Sequence, residues 1–533
     1  MDENMDVRTS IAYHKDAVHV VEAARLATKE GVPLVMKKGD NQALVLFTQP
    51  TCTHHGQWSR EIPTDYSHSK IQPMFDTAEH MITIAGCNLT LPNGNTSSAL
   101  TMELPVGPNL KLTYGQVIAL GGDFYGDPNQ PVCTAGNQQA QINQFQKNFN
   151  SLQSSATEVQ KILSTANKYE FVPIAARVRN HQNPSGVYAS IPWTKGWVMN
   201  DEDEDFDENT GGGGPHTTTF GRYSKLALSN LDHFGVDAIA CYTAGHILAQ
   251  QQAQKAHNSN DPQGGLLLAY AINAFADHFL TDLFSAGHMR TPRRQMYFYK
   301  STIGPGINAT LSGACAKAMH DEDSKFGLWV DNAMEDRWVA YGDARYRDIC
   351  NAANRAIMKK ALQQSMNDVW NAFNTGTITG QNSKVFRYLP SVITAITQPG
   401  SSQGQRDDTR NWAPLFWCNP NDGYIYQRDS LSDISVRTYS WKTVAGLAST
   451  AGFIIGEQQA GLWKSYMPQQ EYVAAGYPYP PNETGPSGEV GWPPSPTQQH
   501  GYPRVWGATG PDLWNFQLSD WRVDGATGPT GLG

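Results

Sequence analysis

Charge is scarce in this chain of 533 residues: Asp, Glu, Lys and Arg together make up 17%, against 40% hydrophobic residues. The formal net charge of −9 argues against a strongly electrostatic nucleic-acid binder, which presents a basic surface. Long hydrophobic runs are missing too. No apolar segment approaches the ~20 residues of a membrane-spanning helix. Residues 1–30 lack a basic stretch followed by an apolar one, so no signal peptide is expected and a cytoplasmic or non-classically secreted protein is implied. The seven cysteines, Cys52, Cys87, Cys133, Cys241, Cys315, Cys350 and Cys418, are scattered without a CxxC pair. That spacing fits free thiols better than a zinc ribbon or a disulfide scaffold. Without an export signal, the Asn-x-Ser/Thr sites at Asn88, Asn95, Asn308 and Asn482 read as chance matches.

What is present is helical periodicity, long enough in total for a sizeable core. Residues 16–29 read as an amphipathic helix with His14 just before it and Gly31 as its stop. From 42 to 104, short apolar alternations separated by Pro, Gly and Asn predict a small β-rich insertion, with His54 and His55 in a loop. Residues 112–126 predict a helix ending near Gly121 and Gly122, which delivers Asp123 ahead of Phe124. Residues 138–168 have helical period and a polar surface. The acidic, glycine-rich run 200–215 reads as an exposed loop, and it lacks the Gly and Glu positions of a calcium-binding EF-hand. A long helix follows within 221–256, with His246 facing the interior, and another within 335–373. The expected fold is mainly α: a helical domain over 1–375 carrying the β-rich insertion, then a C-terminal region over 376–533 rich in aromatics, proline and glycine. Trp463, Trp492, Trp506, Trp514 and Trp521 in that region read as packing residues or as contacts to a lipid interface.

The chemistry concentrates in residues 271–295. His278 and Asp282 are four apart, so on a helix they share a face and can converge on one cation. Gly287 offers a stop, and His288 just beyond it can turn back toward the same cavity. Apolar flanks, Leu266 to Leu268 on one side and Phe279, Leu280, Leu283 and Phe284 on the other, bury the pair, and buried imidazole and carboxylate need partners. A second His-x3-Asp pair stands at His233 and Asp237. Farther on, His320 is followed by Asp321, Glu322 and Asp323, of which Asp323 shares its helical face most closely. Arg290, Arg293 and Arg294 could clamp a phosphate or form an ordinary basic turn.

The run DHFLTDLFSAGHMRTPR at 277–293 resembles the zinc-dependent phospholipase C and P1-nuclease family, and within it the larger bacterial and fungal branch that hydrolyses phosphatidylcholine. His233 before Phe234, and HKDAV at 14–18, are similar to that family's ligand motifs. The resemblance implies a helical core holding two or three zinc ions. His233, His278 and Asp282 would hold the first, with Asp123 on its water as general base. His288, His320 and Asp323 would hold the second. His14 with the shared Asp282 would hold a third, His19 being the alternative. Two departures stand out. Thirteen residues precede His14 where the family uses an N-terminal tryptophan, and Ser324 occupies the place of a Glu four residues after a ligand histidine. The implied reaction converts phosphatidylcholine, at a membrane surface or micelle, to diacylglycerol and phosphocholine. A P1-type single-strand nuclease and a non-catalytic helical interaction protein are the alternatives.

Overall fold

The structure is a computed structural model that describes residues 34–38 and 42–46, then 77–392 with short gaps, and the segments 414–418, 425–428 and 439–441. His14, His19, His54, His55, the 16–29 stretch and the five C-terminal tryptophans lie outside the described residues.

A hairpin of β1 (Leu34–Lys38) and β2 (Gln42–Leu46) comes first, followed by α1 (Thr77–Ile82). The hairpin β3 (Asn88–Thr90) with β4 (Thr96–Ser98) and the hairpin β5 (Glu103–Gly107) with β6 (Leu110–Thr113) lead into α2 (Tyr114–Leu120). Then come α3 (Gln138–Gln153), α4 (Ala156–Ala166), a π turn (Asn167–Phe171), α5 (Val172–Arg179), α6 (Asp201–Asn209) and α7 (Arg222–Ser229). The central pair is α8 (Gly235–His257) and α9 (Pro262–Asp282). Two short helices, α10 (Ala286–Met289) and α11 (Arg293–Tyr297), join it to α12 (Pro305–Phe326). Strands β7 (Leu328–Asp331) and β8 (Arg337–Ala340) precede α13 (Ala352–Thr375). After it β9 (Ser391–Val392) pairs antiparallel with β7, in the order β8-β7-β9. Strands β10 (Phe416–Cys418), β11 (Ile425–Arg428) and β12 (Tyr439–Trp441) form one further antiparallel sheet. The protein is mainly helical with small sheets, and no described helix is long and apolar enough to cross a membrane.

Local chemistry sets the boundaries that matter. Thr113 and Gln116 form a reciprocal capping box that starts α2. Asp261 accepts from the Gly264 amide and Pro262 occupies the first turn of α9. From Ala269 to Asp282 every residue of α9 is buried, so this helix is surrounded by protein on all sides. Packing is close where Gly245 of α8 meets Phe145 of α3 and Ala276 of α9, because a Cβ there would overlap both.

Three expectations change. Residues 201–209 of the acidic run form α6, with Asp201, Glu202, Asp203, Glu204 and Asp207 buried. Acids in a first turn complement the helix N-terminus, and donors meet several of the carboxylates. Thr194 and the Lys195 amide reach Asp201, the Tyr223 hydroxyl reaches Asp203 at 2.8 Å, and the Gly221 amide reaches Asp207 at 2.8 Å. Phe206 anchors the helix against Phe124 and Tyr223. Within the β-rich stretch, residues 77–82 are helix rather than strand, held where Glu79 accepts the amides of Ala344 and Tyr346, each at 3.0 Å. Finally, the helical core continues past 375: Val385, Phe386, Leu389 and Val392 are buried in the main cluster. Gly245→Val should therefore destabilise the fold by about 1–3 kcal/mol through overpacking, read as a lowered midpoint in chemical denaturation.

Candidate metal centre

The C-terminal turn of α9 carries His278 and Asp282 to the floor of the centre, both essentially unexposed. His233 arrives from the turn before α8, and its Nδ1 lies 2.8 Å from Asp282 Oδ2 and 3.2 Å from His278 Nε2. His278 Nε2 is 3.6 Å from the same carboxylate oxygen. One ring nitrogen carries at most one proton, so hydrogen bonds cannot satisfy all three contacts at once. A cation between them can. Tetrahedral ligands about 2.0–2.1 Å from a zinc ion stand roughly 3.3 Å from one another, and the three observed separations bracket that spacing.

Asp123, 8% exposed, stands at the rim, with Oδ1 3.9 Å from both His233 Nδ1 and His278 Nε2. Behind it is His80 of α1, whose Nε2 is 4.0 Å from Asp123 Oδ2 and 3.7 Å from Asp282 Oδ1. Asp282 Oδ1 is buried with no hydrogen-bond partner. The carboxylate thus presents one oxygen to His233 and His278 and the other to His80. A further group lies alongside: His288 Nε2 and His320 Nε2 are 3.7 and 2.8 Å from Asp343 Oδ2. His320 Nε2 and Asp343 Oδ2 are both buried, and at this separation they attract each other electrostatically. His80, Asp123 and His278, then His233, His278 and Asp282, then His288, His320 and Asp343, are the groups that could hold a metal ion among the described residues.

The opposite ring nitrogens are fixed by neighbours, as ligand imidazoles require. Nδ1 of His278 meets the Ile118 carbonyl at 2.9 Å, Nδ1 of His288 the His233 carbonyl at 2.8 Å, Nδ1 of His80 the Thr281 hydroxyl at 2.9 Å and Nδ1 of His320 the Asp321 carboxylate at 2.9 Å. Gly122 has a φ of +53° and lies so close to the imidazoles of His278 and His233 that a Cβ would overlap both. A Cβ at Gly287 would likewise overlap the His320 ring.

The electrostatics point the same way. Burial, aided by neighbouring histidines, holds His278 and His80 well below the usual imidazole range and brings His233 down to about 3. These rings are neutral near pH 7 and offer lone pairs. Burial, then the charges of Asp282 and Asp343, raises Asp123 well above the carboxylate range. Burial pushes Asp282 up to about 8, against the pull of His288 and with the repulsion of Asp343. Burial also disfavours charge on Asp343 and His320, but their mutual attraction overrides it. Asp343 is held well below its ordinary value, and His320, helped by Asp321, is pushed up to about 9.

Of the residues expected from sequence, Asp123, His233, His278, Asp282, His288 and His320 come together here. Asp323 does not. It is engaged by Arg290 through two hydrogen bonds of 2.8 and 2.6 Å, and Asp343 takes the place expected for it. Beside this exchange, Ser324 packs against Gly342 and accepts the Gly342 amide on its carbonyl at 3.1 Å, next to the loop that carries Asp343. Ser285 then donates to Asp343 Oδ1 at 2.7 Å. The arginines read as either a phosphate clamp or an exposed basic turn are instead engaged internally, since Arg290 pairs with Asp323, Arg294 with Asp237, and Arg293 donates to the Leu228 carbonyl. His246 bonds Asn273 at 2.6 Å, away from the cluster. His80 and Asp343 escaped the sequence reading because neither stands at a helical spacing from another ligand. The glycine before Asp343 was the available local signal.

Comparison of the chain with protein-family models, with curated proteins and with solved structures returns no match in any of the three.

A protonated His320 or Asp282 cannot donate to a metal, so a cation and a proton compete for each. With these groups at about 9 and about 8, zinc binding to metal-stripped protein near pH 7 should release protons from both. Affinity should rise with pH and level off above about 9, as read by calorimetry in buffers of different ionisation enthalpy.

Proposed function

We propose that the chain is a zinc-dependent phosphodiesterase acting on phospholipid, with phosphatidylcholine as the substrate and diacylglycerol and phosphocholine as products. The observation that carries this reading is the convergence of three His/Asp groups on one centre, two of them sharing His278 and bridged by Asp282. Mixed imidazole and carboxylate donors suit zinc. When bound, clustered divalent cations neutralise phosphate oxygens and lower the pKa of water. The residues divide the work. His233 and His278, neutral near pH 7, hold the cation without adding positive charge of their own. Asp123, at the more open rim, accepts the proton of the attacking water, and its raised pKa brings its basicity toward the operating range.

Phospholipid is favoured over a nucleic-acid strand on two grounds. The sequence around His278 to Arg293 is similar to the phospholipase branch. In addition, the three arginines that follow His288 are already engaged inside the protein and provide no track of their own for a polyanion.

The test presents phosphatidylcholine vesicles and single-stranded nucleic acid to the same preparation, with and without a chelator. Chelator-sensitive release of phosphocholine with the strand left intact is expected, and the reverse pattern would overturn the assignment. His278→Ala should lower the zinc content and abolish turnover. Asp123→Asn should slow turnover on the order of 10²–10⁴-fold, with zinc content measured on the same sample. A zinc-loaded Asp123→Asn protein turning over at the normal rate would place the base elsewhere.

A further inference from the structure

Two buried ion pairs flank the centre, and both start from one short segment. Arg290 grips Asp323 through Nε at 2.8 Å and Nη2 at 2.6 Å. Arg294 grips Asp237 in the same manner, at 2.8 and 2.6 Å. The side chains are 3% and 0% exposed in the first pair, and 9% and 6% in the second. Asp237 follows His233 by four residues in the first turn of α8, and Asp323 follows His320 by three on α12. Both arginines follow closely on His288. The two pairs therefore tie the His288 segment to two neighbours, one beside His233 and the other carrying His320, histidines that belong to different metal groups.

The geometry closes on itself. His288 Nδ1 meets the His233 carbonyl at 2.8 Å, so fixing the start of α8 also fixes the His288 ring. The helices that carry or border the two arginines, α10 and α11, are four and five residues long. Helices so short do not hold their direction by their own hydrogen bonds, whereas a guanidinium forked onto a carboxylate is a rigid joint with a defined plane.

We propose that Arg290 with Asp323, and Arg294 with Asp237, are two positioning clamps that set the spacing of His233, His288 and His320, with the Arg290 clamp governing the group completed by Asp343. This rests on reading the centre as a metal site and is independent of the substrate assigned to it.

The experiment is a zinc titration of the metal-stripped full-length chain, with a thermal melt of every sample. The double variant Arg290→Met, Asp323→Leu replaces the pair with apolar side chains of similar size, an exchange that often leaves stability unchanged or improved. One zinc ion should bind on the order of 10–100-fold more weakly, while the melt and the remaining zinc affinity stay near wild type. If that variant fails to fold, Arg290→Lys keeps the charge but loses the fork, and should weaken the same ion. A folded variant with the wild-type zinc isotherm overturns the clamp alone. So does one in which only KM for the phosphodiester rises, since that makes Arg290 a substrate contact. Wild-type protein that takes up no zinc overturns the metal reading and the clamp with it.

Discussion

Neutralising charge in a buried space is the constraint on which this structure depends. Asp123, Asp282 and Asp343 share a largely dry volume with His80, His233, His278, His288 and His320. Desolvating an isolated ion costs several kcal/mol even after relaxation, so such a volume must obtain its positive charge from somewhere. In the metal-free protein it does so unevenly. The rings of His80, His233 and His278 give up their protons, Asp282 gains one, and His320 keeps its proton opposite Asp343. A cation bound at the centre would replace these displaced protons with a charge held equally by several ligands.

The scaffold around the centre is built for rigidity. Helix α9 is buried on every side over its last turns, so His278 and Asp282 cannot relax toward solvent. Glu79, beside His80 in sequence, accepts two amides of the loop that begins at Asp343. One carboxylate thereby fastens the element carrying His80 to the loop carrying Asp343. Deeper still, Asp277 receives the hydroxyls of Tyr114 and Ser365, each at 2.7 Å, which pins α9 between α2 and α13. These hydrogen bonds fix the elements behind the centre against one another.

Much of this could be read from the chain. The i,i+4 spacing of His278 and Asp282, the glycines after them and the apolar flanks marked a buried helix end with ligand-type side chains. The placing of Asp123 after two glycines survived for a related reason, because Gly122 must adopt a positive φ beside two imidazoles. Composition misled at residues 201–209, where an acidic run looked solvated. Whether a carboxylate is buried depends on donors such as Tyr223 and the Gly221 amide, which lie far along the chain. Asp343 was illegible for the same reason. It reaches His320 through a β-hairpin, and no helical period relates residues 20 or more positions apart.

The hairpin that delivers Asp343 has a consequence for the history of the molecule. Strands β7 and β8 are joined by β9, whose residues Ser391 and Val392 pair with Asp331 and Val330 across some sixty residues of chain that include α13. Contacts so distant in sequence form late, after the entropy of closing the intervening loop has been met. A chain emerging from the ribosome presents His233, His278 and Asp282 before β7 and β8 exist. The group nearest α9 can take shape while synthesis continues, whereas the one that needs Asp343 waits for the β7–β8 hairpin, and the sheet behind that hairpin is completed only when β9 follows α13. Assembly of the centre is in this sense vectorial, its last ligand arriving on the hairpin and the supporting sheet closing after it.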